Sequence, residues 1–305
     1  MRFRLHAWQL AALLIVLCAL AIAGVYMFRM RGGSKPSDLV VYLPAENASV
    51  VYLDVDRMRR AGILNMFAGS KAAEEIEYKQ FVDATLFDYR QDLDAVAAAF
   101  KDNQVFLALR GRFHWKNLMD YARQQGGSCH NGFCVTTGSR PNRRISFYAL
   151  RRDTMAMAIS SDDFAAYQIS SKSAARPVAL PAQPVWATVP IAALQHAQDL
   201  PPGLKPYIRA LGNAEQVEFT LGPKGDRLEL TLNVRCRDTQ TASALAVDLE
   251  STTNELRKML EHQKPDPRDL TAVLVAGTFH RDDRSVYGQW PLDRAFVDAL
   301  ANGSN

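Results

Sequence analysis

The feature that most constrains this chain is an uncharged apolar segment near its N-terminus. Residues 7–28, AWQLAALLIVLCALAIAGVYMF, contain no charged side chain. A membrane-spanning helix needs about 20 predominantly apolar residues, because the hydrocarbon core of a bilayer is about 30 Å thick. The sequence therefore predicts an N-terminal membrane anchor within residues 1–30, with the lipid bilayer as the partner of residues 7–28.

A cleaved signal peptide is the alternative interpretation of the same segment. Ala21–Ala23 fits a small-residue cleavage site, and Arg2 and Arg4 supply a basic start. The apolar run continues past that site to Phe28, which favours an uncleaved anchor. Basic residues flank both ends, so their count does not orient the segment. Because long domains after a single anchor are translocated largely regardless of charge, we expect a single-pass protein with an extracytoplasmic, periplasmic body.

Stretches rich in Pro, Gly and small residues divide the rest of the chain. Residues 31–37 (RGGSKPS) form a polar tether, and residues 172–184 (KSAARPVALPAQP) form a seam. The 305 residues are 48% hydrophobic, which is enough to build a substantial core. The sequence thus predicts a first unit over residues 38–171 and a second unit over residues 185–301.

Both units contain patterns typical of half-buried strands and amphipathic helices. In RLELTLNVRC every second residue from Leu228 to Cys236 is apolar, which predicts a strand with one buried face. Cys236 continues the apolar series, so we expect a buried, reduced thiol. A long helix over about residues 239–262 follows. The expected fold class is α+β: a transmembrane helix, then two similar units of antiparallel sheet covered by helices.

The two units also begin alike. The first opens with YLPAENASVVYLDV at Tyr42 and the second with ALPAQPVWATVP at Ala179, so each places Leu-Pro-Ala before a short apolar strand. Together with the N-terminal anchor, this opening resembles bacterial membrane-anchored proteins of unknown function with a duplicated extracytoplasmic α+β region. The resemblance implies an internal duplication, and it implies no activity.

Motifs for common catalytic chemistry are absent from the sequence. The chain has no P-loop, no G-x-G-x-x-G, no G-x-S-x-G and no H-E-x-x-H, and its 6 histidines are scattered. A net charge of +4, with arginines in short separate clusters, is too small to indicate nucleic acid. We therefore predict no catalytic, cofactor-binding or metal-binding residue and no nucleic-acid partner, while an envelope protein is an open candidate partner.

Two neighbouring carboxylates provide an alternative enzymatic hypothesis. Asp54 and Asp56 stand two residues apart in YLDVDRM, and residues two apart on a strand share a face. With His280 they could form a hydrolase-like site assembled from distant residues. The simpler interpretation is that Asp56 caps a helix beginning at Arg57. We favour a non-enzymatic, membrane-tethered binding or assembly module, and convergence of the three side chains in one pocket would favour the enzyme.

The stretch GGSCHNGFC carries two cysteines on either side of Asn131-Gly132. Asn-Gly is a strong signal for a type I′ hairpin turn, because both central residues need a positive φ. A two-residue turn at this position pairs Cys129 with Cys134, which predicts a disulfide across the hairpin in an oxidising compartment. Free thiols, a metal site and a redox pair are the alternatives. The last two are disfavoured by the lack of further ligand pairs and by a spacing that is not C-x-x-C.

Overall fold

A large antiparallel sheet organises the body of this protein. The computed structural model describes residues 36–64, 76–138, 142–170, 181–195, 202–225, 227–260, 266 and 268–301. The anchor predicted at residues 7–28 and its signal-peptide alternative lie outside these residues. None of the helices in the described ranges is long and apolar enough to cross a membrane. The described residues from Pro36 onward belong to one compact unit.

The sheet contains twelve strands in the described part of the chain, and all neighbouring strands are antiparallel. Their order is β11-β12-β10-β9-β8-β1-β2-β3-β7-β6-β5-β4. The strands are β1 (Ser49–Asp54), β2 (Leu93–Lys101), β3 (Gln104–Gly111), β4 (Ser128–His130), β5 (Phe133–Thr137), β6 (Arg144–Arg151), β7 (Thr154–Ser160), β8 (Val185–Val189), β9 (Ala214–Lys224), β10 (Arg227–Cys236), β11 (Thr278–Asp282) and β12 (Ser285–Leu292).

The strands of the two units that the sequence predicts belong to this one sheet. They meet where β1 pairs with β8, with Tyr52 opposite Trp186. The expectation of an α+β fold with antiparallel strands and covering helices is therefore confirmed for the body, as a single continuous sheet.

The α-helices lie between the strands. They are α1 (Pro36–Val41), α2 (Val55–Arg60), α3 (Ile76–Thr85), α4 (Tyr89–Asp92), α5 (Trp115–Gln124), α6 (Ile191–Gln195), α7 (Lys205–Ala210), α8 (Thr239–Leu260), α9 (Leu270–Val275) and α10 (Arg294–Ala301). A 3₁₀ turn, Ala165–Gln168, follows β7. The long helix expected over residues 239–262 is α8, and its Ala242, Leu245 and Leu249 are buried.

Strand β10 has the predicted amphipathic character. Leu228, Leu232, Val234 and Cys236 are buried, whereas the residues between them are exposed or only partly buried. Cys236 is fully buried and is not disulfide-bonded, as predicted. Burial also raises the pKa of its thiol, so the neutral, poorly reactive form is favoured.

The strand register assigns each residue to one of two faces of the sheet. Face A, which carries Tyr52, Ala97, Ala108 and Ala156, is covered in its first half by α1 and by the 3₁₀ turn. Alanines on this face are fully buried, because small side chains let the covering helix approach the sheet. Face B is covered by α3 and α5 in the first half and by α7, α8 and α9 in the second.

The cysteine hairpin at one edge of the sheet has the predicted geometry. Cys129 lies opposite Cys134 and His130 opposite Phe133, and the turn residues Asn131 and Gly132 have φ values of 50° and 80°. The two cysteines form a disulfide, and their Cα atoms are 4.1 Å apart. The prediction of a staple across a type I′ hairpin is confirmed.

Removing this disulfide is expected to lower the free energy of unfolding by about 2 kcal/mol, because the crosslink closes a loop of about six residues in the unfolded chain. The variant is C129A/C134A, and the measurement is urea unfolding of the full-length chain in detergent. Reducing the wild-type protein is the matched control, and it should produce a loss of similar size. Equal stability of oxidised, reduced and substituted protein would contradict the expectation.

Candidate functional site

The structure does not bring the three candidate hydrolase residues together. Asp54 ends β1, and its Oδ1 accepts a hydrogen bond of 2.8 Å from the backbone amide of Arg57. Asp56 forms ion pairs with Arg59 (3.2 Å) and Arg60 (2.7 Å). The predicted capping residue was therefore wrong: α2 begins at Val55, two residues earlier than expected, so Asp54 rather than Asp56 is the cap.

His280 lies far from both carboxylates. It is exposed on the edge strand β11, where its ring stacks on Tyr287 at 4.9 Å. Four strands separate β11 from β1, and neighbouring strands lie about 4.8 Å apart, so the separation exceeds roughly 20 Å. Among the described residues, no group of three or more His, Cys, Asp or Glu side chains is placed to hold a metal ion.

The candidate functional site is instead an apolar pocket on face B, with a volume of about 350 Å³. It lies between the sheet and the helices α3 and α5. The sheet contributes Leu109, Phe147, Met155 and Met157, and the helices contribute Phe81, Leu118 and Tyr121. This volume is within the range of small-molecule sites in proteins.

The sequence of β7, TMAMAIS, explains the sheet side of this pocket. Alternate residues of a strand point to opposite faces. Ala156 and Ala158 therefore lie on crowded face A, where both are fully buried, while Met155 and Met157 lie on face B in the pocket. Methionine is unbranched and polarisable, so these side chains can adapt to the shape of an apolar ligand.

The amphipathic helix α5 forms the opposite wall. Its inner side carries Leu118 and Ala122, both buried. Its outer side carries Asp120, which pairs with Lys116 at 2.8 Å and with Arg123 at 2.9 Å. The separation of apolar and charged side chains fixes which side of the helix faces the pocket.

Aromatic rings form a continuous wall at one side of the pocket. Phe81 contacts Tyr121 edge to face at 5.3 Å and Phe87 edge to face at 6.4 Å. Phe87 in turn stacks on Phe113 at 5.2 Å. These contacts hold the rings in defined orientations, because paired aromatic rings favour edge-to-face and offset stacked geometries.

The described lining of the pocket contains no charged side chain. Its polar groups come from Tyr121, Gln125, Thr136 and Thr137. The lining therefore lacks a carboxylate, imidazole or thiol that could act as acid, base or nucleophile. This combination of apolar walls with a few hydrogen-bonding groups suits the binding of an apolar molecule.

The disulfide packs against α5, the helix that forms one wall of the pocket. Cys134 is fully buried and packs in one cluster with Phe147, Met155 and Leu118. The Sγ of Cys129 lies 3.6 Å from the carbonyl oxygen of Met119 in α5. The crosslinked hairpin is thus packed directly under the helix that closes the pocket.

Two larger depressions differ from this pocket in their chemistry. One, of about 680 Å³, lies at the N-terminus of α8 and includes Glu215, Arg237, Asp238 and Asp248. The other, of about 550 Å³, includes Arg227, Asp293 and Arg294. Both are lined in part by charged side chains, so neither offers the continuous apolar lining found on face B.

Comparison with known proteins gives a weak structural resemblance. No protein-family model and no curated protein matches this chain. Crystal forms IV, III and I of TP0453 are similar to it at TM-scores of 0.46, 0.49 and 0.46, with 11%, 11% and 12% sequence identity. These similarities cover 87–89% of this chain and 96–98% of the TP0453 chains.

Proposed function

We propose that this chain is a membrane-tethered, extracytoplasmic binding module whose ligand is an apolar molecule held in the face B pocket. The observation that carries the proposal is the lining of that pocket, which combines aromatic and methionine side chains with only a few polar groups. An apolar lining binds by removing ligand surface from water, which contributes about 25 cal/mol per Å² buried.

Two features support the proposed location of the module. Residues 7–28 would hold it at the membrane, since the segment is apolar and long enough to span. The Cys129–Cys134 disulfide supports a body outside the cytoplasm, because disulfides persist in oxidising compartments.

We also propose that the body arose by duplication. The supporting observation is that β1 and β8 pair antiparallel, and that similar strand orders continue outward from them, β1-β2-β3-β7-β6 on one side and β8-β9-β10-β12-β11 on the other. Each half runs strand, helix, hairpin, helix, hairpin. The β4–β5 hairpin with its disulfide is then an addition to the first half.

Filling the pocket is expected to weaken ligand binding. The variant Thr136→Trp places a large ring into the cavity from β5, with Ser128→Trp as the matched control. Ser128 is exposed on the neighbouring strand β4, on the opposite face. The probe is N-phenyl-1-naphthylamine, a neutral aromatic molecule. Its apparent affinity should fall by about ten-fold or more, which corresponds to about 1.4 kcal/mol.

The readout must separate pocket binding from partitioning of the probe into lipid. Methyl NMR of ¹³C-methionine in the full-length chain, in nanodiscs of deuterated lipid, does so. The probe should shift the methyl signals of Met155 and Met157. It should leave the methyl signal of Met58 unchanged, because Met58 is buried in a separate hydrophobic cluster outside the pocket. Unshifted Met155 and Met157 signals, or equal shifts in Thr136→Trp, would refute the proposed site.

A further inference from the structure

A second apolar feature lies on the opposite face of the sheet. Four aromatic residues, Phe133, Tyr148, Phe164 and Tyr167, form a cluster that we call the aromatic patch. Phe164 and Tyr167 are 62% and 56% exposed, whereas Phe133 beneath them is 8% exposed. Large aromatic side chains exposed together on one surface indicate an interaction site.

Three rings of the patch, those of Phe133, Phe164 and Tyr167, are nearly parallel, and the ring of Tyr148 is tilted against them. Tyr167 stacks on Phe133 at 4.2 Å and 17°, and Phe164 lies 6.4 Å from Tyr167 with 8° between their planes. Tyr148 supports Tyr167 at 5.4 Å. The exposed rings therefore rest on a packed aromatic base.

Hydrogen bonds fix the loop that carries the exposed rings. Asp162 accepts a bond of 2.9 Å from the amide of Phe164, and the buried Ser146 hydroxyl accepts one of 3.2 Å from the amide of Ala166. The hydroxyl of Tyr148 donates to the carbonyl of Ile169 at 2.7 Å. Little conformational entropy would be lost when a partner covers such a preorganised surface.

The aromatic patch lies on face A, the side of the sheet on which the described chain begins. Helix α1 begins at Pro36 and covers face A, and the amide of Ser170 donates to the carbonyl of Tyr42, directly after α1, at 3.1 Å. Residues 29–35 connect the apolar segment to Pro36. Seven fully extended residues span about 25 Å at most. If residues 7–28 span a bilayer, the body is held close to its surface.

We propose that the aromatic patch rests in the interfacial region of the bilayer that anchors the chain. The inference rests on the membrane tether of the proposed function. Aromatic side chains with an apolar body favour the interface between hydrocarbon and headgroups. The nearby cation Arg144 is already paired with Asp163 at 3.0 Å. The contact therefore depends on the rings rather than on anionic lipid.

Photocrosslinking in intact membranes tests this contact. A benzoylphenylalanine replaces Phe164 in the full-length chain, and a matched variant carries it at Val247. Val247 is 64% exposed on α8, which covers face B. Mass spectrometry should detect lipid adducts at position 164 about ten-fold more often than at position 247. The difference should persist at about 1 M salt, where the Debye length is only about 3 Å.

The outcomes distinguish the patch from the tether. Equal or absent lipid adducts at position 164, in protein that stays in the membrane after carbonate extraction, would overturn the patch contact alone. A main adduct with a second copy of the chain or with a glycan would also overturn it. Release of a soluble protein beginning at Gly24 would overturn the tether and the patch contact together.

Discussion

Replacing Leu249 with alanine is expected to lower the free energy of unfolding by about 3–5 kcal/mol, the range for a large-to-small change that leaves a cavity in a core. Leu249 is 1% exposed and lies on the inner side of α8, in the cluster that packs against the second half of face B. Urea unfolding of the full-length chain in detergent measures the change.

The matched control is Val247→Ala on the same helix. Val247 is 64% exposed, so its loss should change stability by no more than about 0.5 kcal/mol. The pair also tests which surface α8 uses. Comparable losses at both positions would mean that its outer side packs against a partner, such as another helix.

Replacing Gly111 with alanine is expected to cost about 3 kcal/mol or more, because the new methyl group would overlap backbone that cannot move independently. A Cβ at Gly111 would lie 2.3 Å from the carbonyl oxygen of Asp92. That oxygen already accepts a 2.8 Å hydrogen bond from the amide of Arg112. The amide of Gly111 donates to the backbone carbonyl oxygen of Asp153 at 2.9 Å. Relief of the overlap would break these bonds at the end of β3.

Gly203→Ala is the control for this substitution. A Cβ at Gly203 has its nearest neighbour, the Cδ1 of Leu274, at 3.4 Å, which is ordinary contact. Its stability should remain within about 1 kcal/mol of wild type, since neither overlap nor positive φ opposes the methyl group. If Gly111→Ala is no more harmful than Gly203→Ala in the same unfolding assay, the close approach of β2 and β3 at this point is wrong.

The predictions that held were those that depend on local sequence. The alternation from Leu228 to Cys236 requires only one buried face, and Asn131-Gly132 requires only a two-residue turn. Each pattern by itself specifies which residues share a face of the strand or pair across the turn. They therefore identified the amphipathic strand, the buried thiol and the disulfide pair without knowledge of the remaining fold.

One prediction failed on a local detail, and the pocket was missed because it depends on contacts between distant segments. The start of α2 was misplaced because Val55 continues the apolar alternation of β1, although the side chain of Asp54 already caps the helix. The pocket joins Phe81, Tyr121 and Met157 from separate elements, and no spacing in the sequence links them. The one local signal for it was Met155 and Met157 alternating with small alanines, and the same pattern also fits an ordinary buried strand.

The central position of β1 has a consequence for synthesis of the chain. A strand that becomes central in the sheet needs a partner on each side, and β8, one of its partners, is made about 130 residues later. At ribosomal rates of about 5–20 residues per second, the first half exists for several seconds or more with an unpaired edge. Unpaired strand edges are templates for aggregation. The nascent chain therefore exposes an aggregation-prone strand edge until β8 emerges and pairs with β1.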